Sequence, residues 1–320
     1  MSNFTLPFIP ERPEKPRNTG VTMMMDKGLG LKETEHFIEA SSHLTDLVKF
    51  GFGTSYTTRH LEEKIKLYKE AGIRPYLGGT LFEAFYARGC FEDYVRLLDR
   101  LDLDLVEISD GSIIIPHKDK CKIIKRLSKN RTVLSEVGSK DSGIIVSPFK
   151  WVSWMKAELD AGSWKVIAEG REAGNVGVFR PNGTAHTLLI NHIIARVDPS
   201  QILWEAPQKN QQVWFIKLFG ANVNLGNIAP NDVIPLECLR LGLRGDTFFE
   251  FLPADYADRL KQVNSDEPEE EVEEKKISDL SLSTSLKSSS VSSGKGYGYS
   301  PVGLRNIGNT CFMASILQCI

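Results

Sequence analysis

The chain has 320 residues, 41% of them hydrophobic, enough to bury one large core with a tail or two modest cores. Its 39 Lys and Arg stand against 41 Asp and Glu, and the part before the acidic tail is close to neutral, which excludes the basic footprint of a nucleic-acid binder. No basic leader with a long apolar core opens the chain, no apolar run approaches about 18 residues, and five cysteines form no C-x-x-C pair; a cytoplasmic protein with reduced thiols and no membrane segment is expected.

Residues 1–16 carry Pro7, Pro10, Pro13 and Pro16, a spacing that forbids regular structure and predicts an extended arm on a surface. The folded unit, residues 17–262, then alternates. A strand near 20–26 precedes a helix over Lys32–His43, a strand near 47–51 precedes a helix over Thr58–Ala71, and a strand follows at Arg74–Leu77, with glycines at each turn. Leu61, Ile65 and Tyr68, and then Tyr94, Leu97, Leu98 and Leu101, recur at helical spacing and predict core-facing stripes. The remaining pairs are Leu105–Ile108 with Lys118–Ser128, Thr132–Val137 with Pro148–Ala161, and Lys165–Ala168 with Thr184–Ala195. Ile202–Ala206 with Gln208–Phe219 and Val223–Ile228 with Pro235–Leu241 complete the series. Some eight strand-helix units over about 230 residues predict a (β/α)8 TIM barrel. An acidic and Ser-rich stretch, 263–300, has the composition of a disordered linker.

Charge recurs at the carboxyl ends of these strands. Glu107, Glu136, Glu169 and Glu205 fall on four consecutive units, and in a barrel the strand ends converge on one mouth. Such a ring repels itself unless a hard divalent cation or Lys and Arg neutralise it. Lys27, Lys49, Lys140, Arg171, Lys209, Arg240 and Arg244 are the basic candidates. The glycine-rich runs 170–177 and 242–247 could hold an anion through backbone N–H groups, although neither matches a nucleotide-binding fingerprint. The six histidines show no metal-binding spacing.

The segments Asp26-Lys-Gly-Leu29, Lys49-Phe-Gly-Phe-Gly-Thr-Ser55, Gly78-Gly-Thr-Leu-Phe-Glu83, Val106-Glu-Ile-Ser-Asp-Gly-Ser112, Glu136-Val-Gly138, Glu169-Gly-Arg-Glu172, Glu205-Ala-Pro-Gln-Lys209, Asn227-Ile-Ala229 and Gly242-Leu-Arg-Gly-Asp-Thr-Phe248 resemble the phosphosulfolactate synthase family over residues 17–250. The resemblance implies Mg2+-dependent addition of sulfite to phosphoenolpyruvate, a lyase-class step named for coenzyme M biosynthesis, and a homo-oligomer, a trimer. It implies Glu136, Glu169 and Glu205 as metal residues, with Glu107 a further candidate there and a catalytic one beside Lys140, the general acid. Lys27, Lys49, Arg171, Lys209 and Arg244 are the substrate-gripping set. Where the family carries lysines at both positions after Glu-Val-Gly, this chain has Ser139-Lys140.

Residues 301–320 resemble the cysteine box that opens the catalytic domain of ubiquitin-specific proteases. Cys311 would start a helix whose dipole favours a thiolate, and Asn306 could donate to an oxyanion. A histidine base and its orienting partner do not follow, so this box is expected to be incomplete and inactive. The alternative reading is a deubiquitinase fragment with a non-catalytic or regulatory barrel, and ubiquitin is a partner only of a complete protease domain.

Overall fold

A strand places alternate side chains on opposite faces, so closing a sheet into a barrel turns one set inward and the other toward surrounding helices. The computed structural model describes residues 3–140 and 146–261 and contains eight parallel strands. These are β1 (Thr22–Asp26), β2 (Leu47–Phe50), β3 (Arg74–Leu77), β4 (Leu105–Ile108), β5 (Thr132–Val137), β6 (Lys165–Ala168), β7 (Ile202–Glu205) and β8 (Leu225–Ile228). They are hydrogen-bonded in the order β3-β2-β1-β8-β7-β6-β5-β4, with β3 and β4 side by side at the seam. The chain forms a (β/α)8 TIM barrel. The linker 263–300 and the cysteine box with Asn306 and Cys311 lie outside the described residues.

No backbone ladder joins β3 to β4 among the described residues, and Pro75 supplies a reason. Arg74 N donates to Asp46 O and Gly78 N to Phe50 O, so the residue one step out of phase, Pro75, faces β4 without an N–H to give.

Val21, Met23, Leu47, Tyr76, Leu105, Leu134, Ile167 and Leu203 fill the barrel interior. Their neighbours, such as Val48, Phe50, Val106, Ile108, Val133 and Trp204, pack outward against the helices. Each such side chain contributes about 1.5–3 kcal/mol when removed from water.

The helices on the outside are α1 (Leu31–Ser41), a single turn α2 (Thr54–Thr57), α3 (Leu61–Glu70), α4 (Gly79–Ala87), α5 (Phe91–Arg100) and α6 (His117–Leu127). After them come α7 (Pro148–Asp160), α8 (Thr187–Ile194), α9 (Lys209–Phe219), α10 (Val233–Arg240) and α11 (Ala254–Lys261). Ile65 and Tyr68 of α3 and Tyr94 and Leu98 of α5 are buried, as their spacing predicts. The sequence reading did not include α4 or α11. None of the described helices is long and apolar enough to cross a membrane.

Residues 3–19 contain no helix or strand and cross the amino-terminal end of the barrel. Arg12 donates to Glu237 Oε1 (2.9 Å) and Gly20 O (3.0 Å), and Lys15 Nζ to Ser42 O (2.8 Å). Arg240 faces the same end, donating to Ala221 O and Val223 O (2.6 Å each). This corrects its assignment to the mouth. Helix α10 runs antiparallel to the strands, so its last residue returns to their beginnings.

Candidate active site

Period-two alternation carries the inward-facing set from apolar to charged within one step. Leu47 is followed by Lys49, Leu105 by Glu107, Leu134 by Glu136, Ile167 by Glu169 and Leu203 by Glu205. All five charged residues are buried at the carboxyl end of the barrel, in a layer directly above the leucines. Lys49 Nζ lies 3.1 Å from Glu107 Oε2, 2.9 Å from Glu205 Oε1 and 3.9 Å from Glu136 Oε2.

The loops above hold these carboxylates in place. Gly79 N, in the first turn of α4, donates to Glu107 Oε1 (2.6 Å), a helix N-terminus meeting an anion. A Cβ at Gly79 would stand 2.7 Å from that same oxygen. Gly170 N (2.9 Å) and Arg171 N (3.0 Å) donate to Glu205 Oε2, and Arg171 N also reaches Glu169 Oε1 (2.7 Å). Arg171 adopts φ +60°, the left-handed region that costs a non-glycine residue about 1–2 kcal/mol. Asn227, at φ +57° in a bulge of β8, donates from Nδ2 to Arg171 O (3.2 Å).

Lys140 Nζ lies 2.8 Å from Glu136 Oε1 and 3.0 Å from Glu83 Oε1. Glu83, on α4, also accepts from Ser109 Oγ and from Ser112 N (2.9 Å). Behind β5, the buried Lys120 Nζ donates to Asp110 Oδ1 (2.8 Å) and Glu136 O (2.5 Å) and pairs with Glu158 (2.9 Å), bracing the backbone that carries Glu136. Glu83 and Asn227 stand in segments quoted above but had no assigned role, and Lys120 falls within the predicted helix Lys118–Ser128 with none. A charge at a core-facing helical position was the available signal for Lys120, whereas Glu83 lies on α4, which carries no such signal until that helix is recognised.

Four strand-end carboxylates and Glu83 face two ammonium groups, Lys49 and Lys140, so the carboxylates outnumber the ammonium groups by three. Burial opposes the Lys49 ammonium, but Glu107 and Glu205 hold its pKa well above the usual value. Burial likewise opposes Lys140, and Glu136, Glu169 and Glu83 raise it. Burial pushes Glu107 up, with Glu136 and Glu205 adding to the effect against Lys49. Burial also pushes Glu169 well above the carboxylate range, reinforced by the charges of Glu136 and Glu205. Raised pKa values at Glu107 and Glu169 thus ease part of the repulsion, and a divalent cation would do the same.

The residues fit such a cation. One oxygen from each of Glu136, Glu169 and Glu205 falls within 4.8 Å of the others, a cluster of hard oxygen donors of the kind that would hold a divalent cation. Asn227 Oδ1 is buried without a hydrogen-bond partner among the described residues, and the Glu169 carboxyl lies against that of Glu136. These groups line a cavity of about 370 Å3 together with Met25, Lys49, Phe52, Gly79, Thr80, Glu107, Ser112, Lys140, Arg171 and Glu172. The Arg171 guanidinium has no ion pair or hydrogen bond among the described residues and is available to an anion.

Lys27 lies outside this lining, exposed in a neighbouring groove between α1 and α10 that shares Met25 with the cavity. Lys209 and Arg244 are also outside it, paired with Asp246 at 3.1 and 3.9 Å. The structure therefore gathers Lys49, Glu107, Glu136, Lys140, Glu169, Arg171 and Glu205 and leaves these three at a distance.

Residues 10–246 match the model of the family described as (2R)-phospho-3-sulfolactate synthase (ComA). A protein of Methanocaldococcus jannaschii named phosphosulfolactate synthase is 43% identical over 235 residues, covering 72% of this chain and 94% of its own length. Proteins of the same name from Methanothermobacter thermautotrophicus and Bacillus subtilis are each 40% identical, covering 74% and 78% of this chain and 95% and 100% of theirs.

Proposed function

The chain belongs to the (2R)-phospho-3-sulfolactate synthase family, and on that footing we propose that sulfite adds to phosphoenolpyruvate in the carboxylate-lined cavity, with Mg2+ as cofactor. The observation that carries the reading is the convergence of Glu136, Glu169 and Glu205 beside Lys140 in one buried cavity.

In this reaction the sulfite sulfur forms a bond to the terminal alkene carbon. The alkene electron pair moves toward C2 and its carboxylate, and a proton is then delivered to C2, giving (2R)-3-phosphosulfolactate. Bound Mg2+, held by Glu136, Glu169 and Glu205, would supply Lewis-acid stabilisation of the charge that builds on the substrate carboxylate. Lys140 holds a proton at Nζ within the cavity and is the general acid. Its carboxylate partners raise its pKa, so withdrawal of charge from Glu136 and Glu169 makes the ammonium a better donor. Arg171 binds an anionic group of the substrates, and Lys49 keeps Glu107 and Glu205 in register. Lys27, Lys209 and Arg244 take part only by approaching from the rim. A cytoplasmic homo-oligomer, a trimer, accompanies this reading, and sedimentation of the purified chain checks the assembly.

The decisive assay incubates the chain with phosphoenolpyruvate, sulfite and Mg2+ and follows phosphorus NMR and mass. A sulfonated phosphate ester is the expected product. Unchanged phosphoenolpyruvate from folded protein would reject the reading.

A further inference from the structure

We propose that Asn227 is a fourth oxygen ligand of the divalent cation, an inference that rests on the metal-dependent reading above. The β1–β8 register pairs Thr22 with Leu225 but Met24 with Ile228, so β8 gains one residue and bulges at Asn227. Asparagine tolerates the left-handed φ of +57° better than most other side chains, and the bulge leaves Asn227 4% exposed on the cavity wall.

Donation from Nδ2 to Arg171 O settles which end of the amide is nitrogen. Oδ1 is then the free end, buried and without a donor among the described residues. It can only accept. The cavity it lines is furnished with carboxylates and, in the proposed reaction, with anionic substrates, which accept as well. Its two buried ammonium groups are already engaged by Glu107, Glu205, Glu136 and Glu83.

The unpaired Arg171 guanidinium in the same lining is drawn to anionic substrate, and a hard cation satisfies Oδ1, since Mg2+ takes amide carbonyl oxygens alongside carboxylates. Position agrees with this. Arg171, whose carbonyl Asn227 holds, donates its own N–H to Glu169 and Glu205, so a single residue links Asn227 to two of the three carboxylate ligands. Asn227 thus both orients the backbone that orients those carboxylates and offers an oxygen of its own.

The test titrates the full chain, without substrate, with Mn2+ and reads free Mn2+ by electron paramagnetic resonance. Wild type, Asn227→Gly and Asn227→Asp are compared, with circular dichroism reporting folding. Glycine accepts the backbone conformation and removes the oxygen, so affinity should fall about tenfold or more. Aspartate loses the N–H donor but keeps an oxygen and adds charge, so it should bind Mn2+ at least as tightly as wild type. Affinity of Asn227→Gly within about twofold of wild type would overturn the proposal. So would a loss in Asn227→Asp matching that in Asn227→Gly, which would assign the whole effect to the amide nitrogen. Wild type that binds no Mn2+ would instead sink the metal-dependent reading itself, and this ligand with it.

Discussion

Glu136 and Glu169 stand side by side at the ends of β5 and β6 and are driven in opposite directions. Burial opposes ionisation of Glu136, yet Lys140 and Lys49 prevail and hold it down to about 2. Burial lifts Glu169 well above the carboxylate range, and the charge of Glu136 lifts it further. Of the two carboxyls, Glu169 therefore holds a proton more readily than Glu136.

If Glu169 is a ligand in the proposed cation site, binding there should displace its proton. Calorimetry of Mg2+ binding in buffers of different ionisation enthalpy should show release of about one proton per cation. Because Glu169 has a raised pKa, apparent affinity should climb as the pH rises through the titration of its carboxyl. A flat profile would mean that Glu169 is not a ligand.

Replacing Lys49 with Met strands Glu107 and Glu205 without their shared ammonium. Stability should drop by about 3–5 kcal/mol, the cost of leaving buried charge uncompensated, as measured by urea unfolding. The burial-raised pKa of Glu107 rises further in this variant, so the folded state binds more protons than the unfolded one. Lowering the pH toward the carboxyls' ordinary range should then restore part of the loss.

Lys140→Met separates acid chemistry from metal binding. Product formation should fall by about 10²–10⁴, while Mn2+ affinity changes by no more than a few-fold. Equal losses in both would reduce Lys140 to a tether between Glu136 and Glu83.

Gly177 has φ +62°, and a Cβ there would lie 2.0 Å from Glu169 O; Gly89 has φ +69° with nothing within 4 Å. Alanine at either position incurs the left-handed penalty of about 1 kcal/mol. Only Gly177→Ala also displaces the Glu169 backbone, so it should lower the melting temperature further than Gly89→Ala and weaken Mn2+ binding. Matching behaviour of the two variants would show that the close approach is unimportant.

The strands were readable because short apolar runs bounded by glycine turns are what strands buried on both faces look like, and Glu107, Glu136 and Glu205 follow their leucines at the period of a strand. Helix α4 was not, since Gly78-Gly79 resembles turn punctuation; Gly79 is small to clear Glu107, a long-range fact invisible to local propensity. The same limit hid Asn227, whose importance comes from a bulge set by pairing with β1. Arg240 misled because proximity in sequence to the last loop says nothing about which end of α10 it occupies. Lys49 and Lys140 were legible as charges, but their partners, 58 to 156 positions away for Lys49, become known only when the sheet closes.

The unladdered boundary between β3 and β4 gives Glu107 a second occupation. Its carboxylate takes Gly79 N from the end of β3 and Lys49 Nζ from β2, while Arg74 and Asp104 (2.6 Å) clasp the opposite rim. The stave that backbone amides leave unsewn is riveted by the side chains that furnish the reaction vessel. Glu107 is for that reason a structural fastener whatever chemistry it performs, and a lineage that abandoned the reaction would still have cause to keep it.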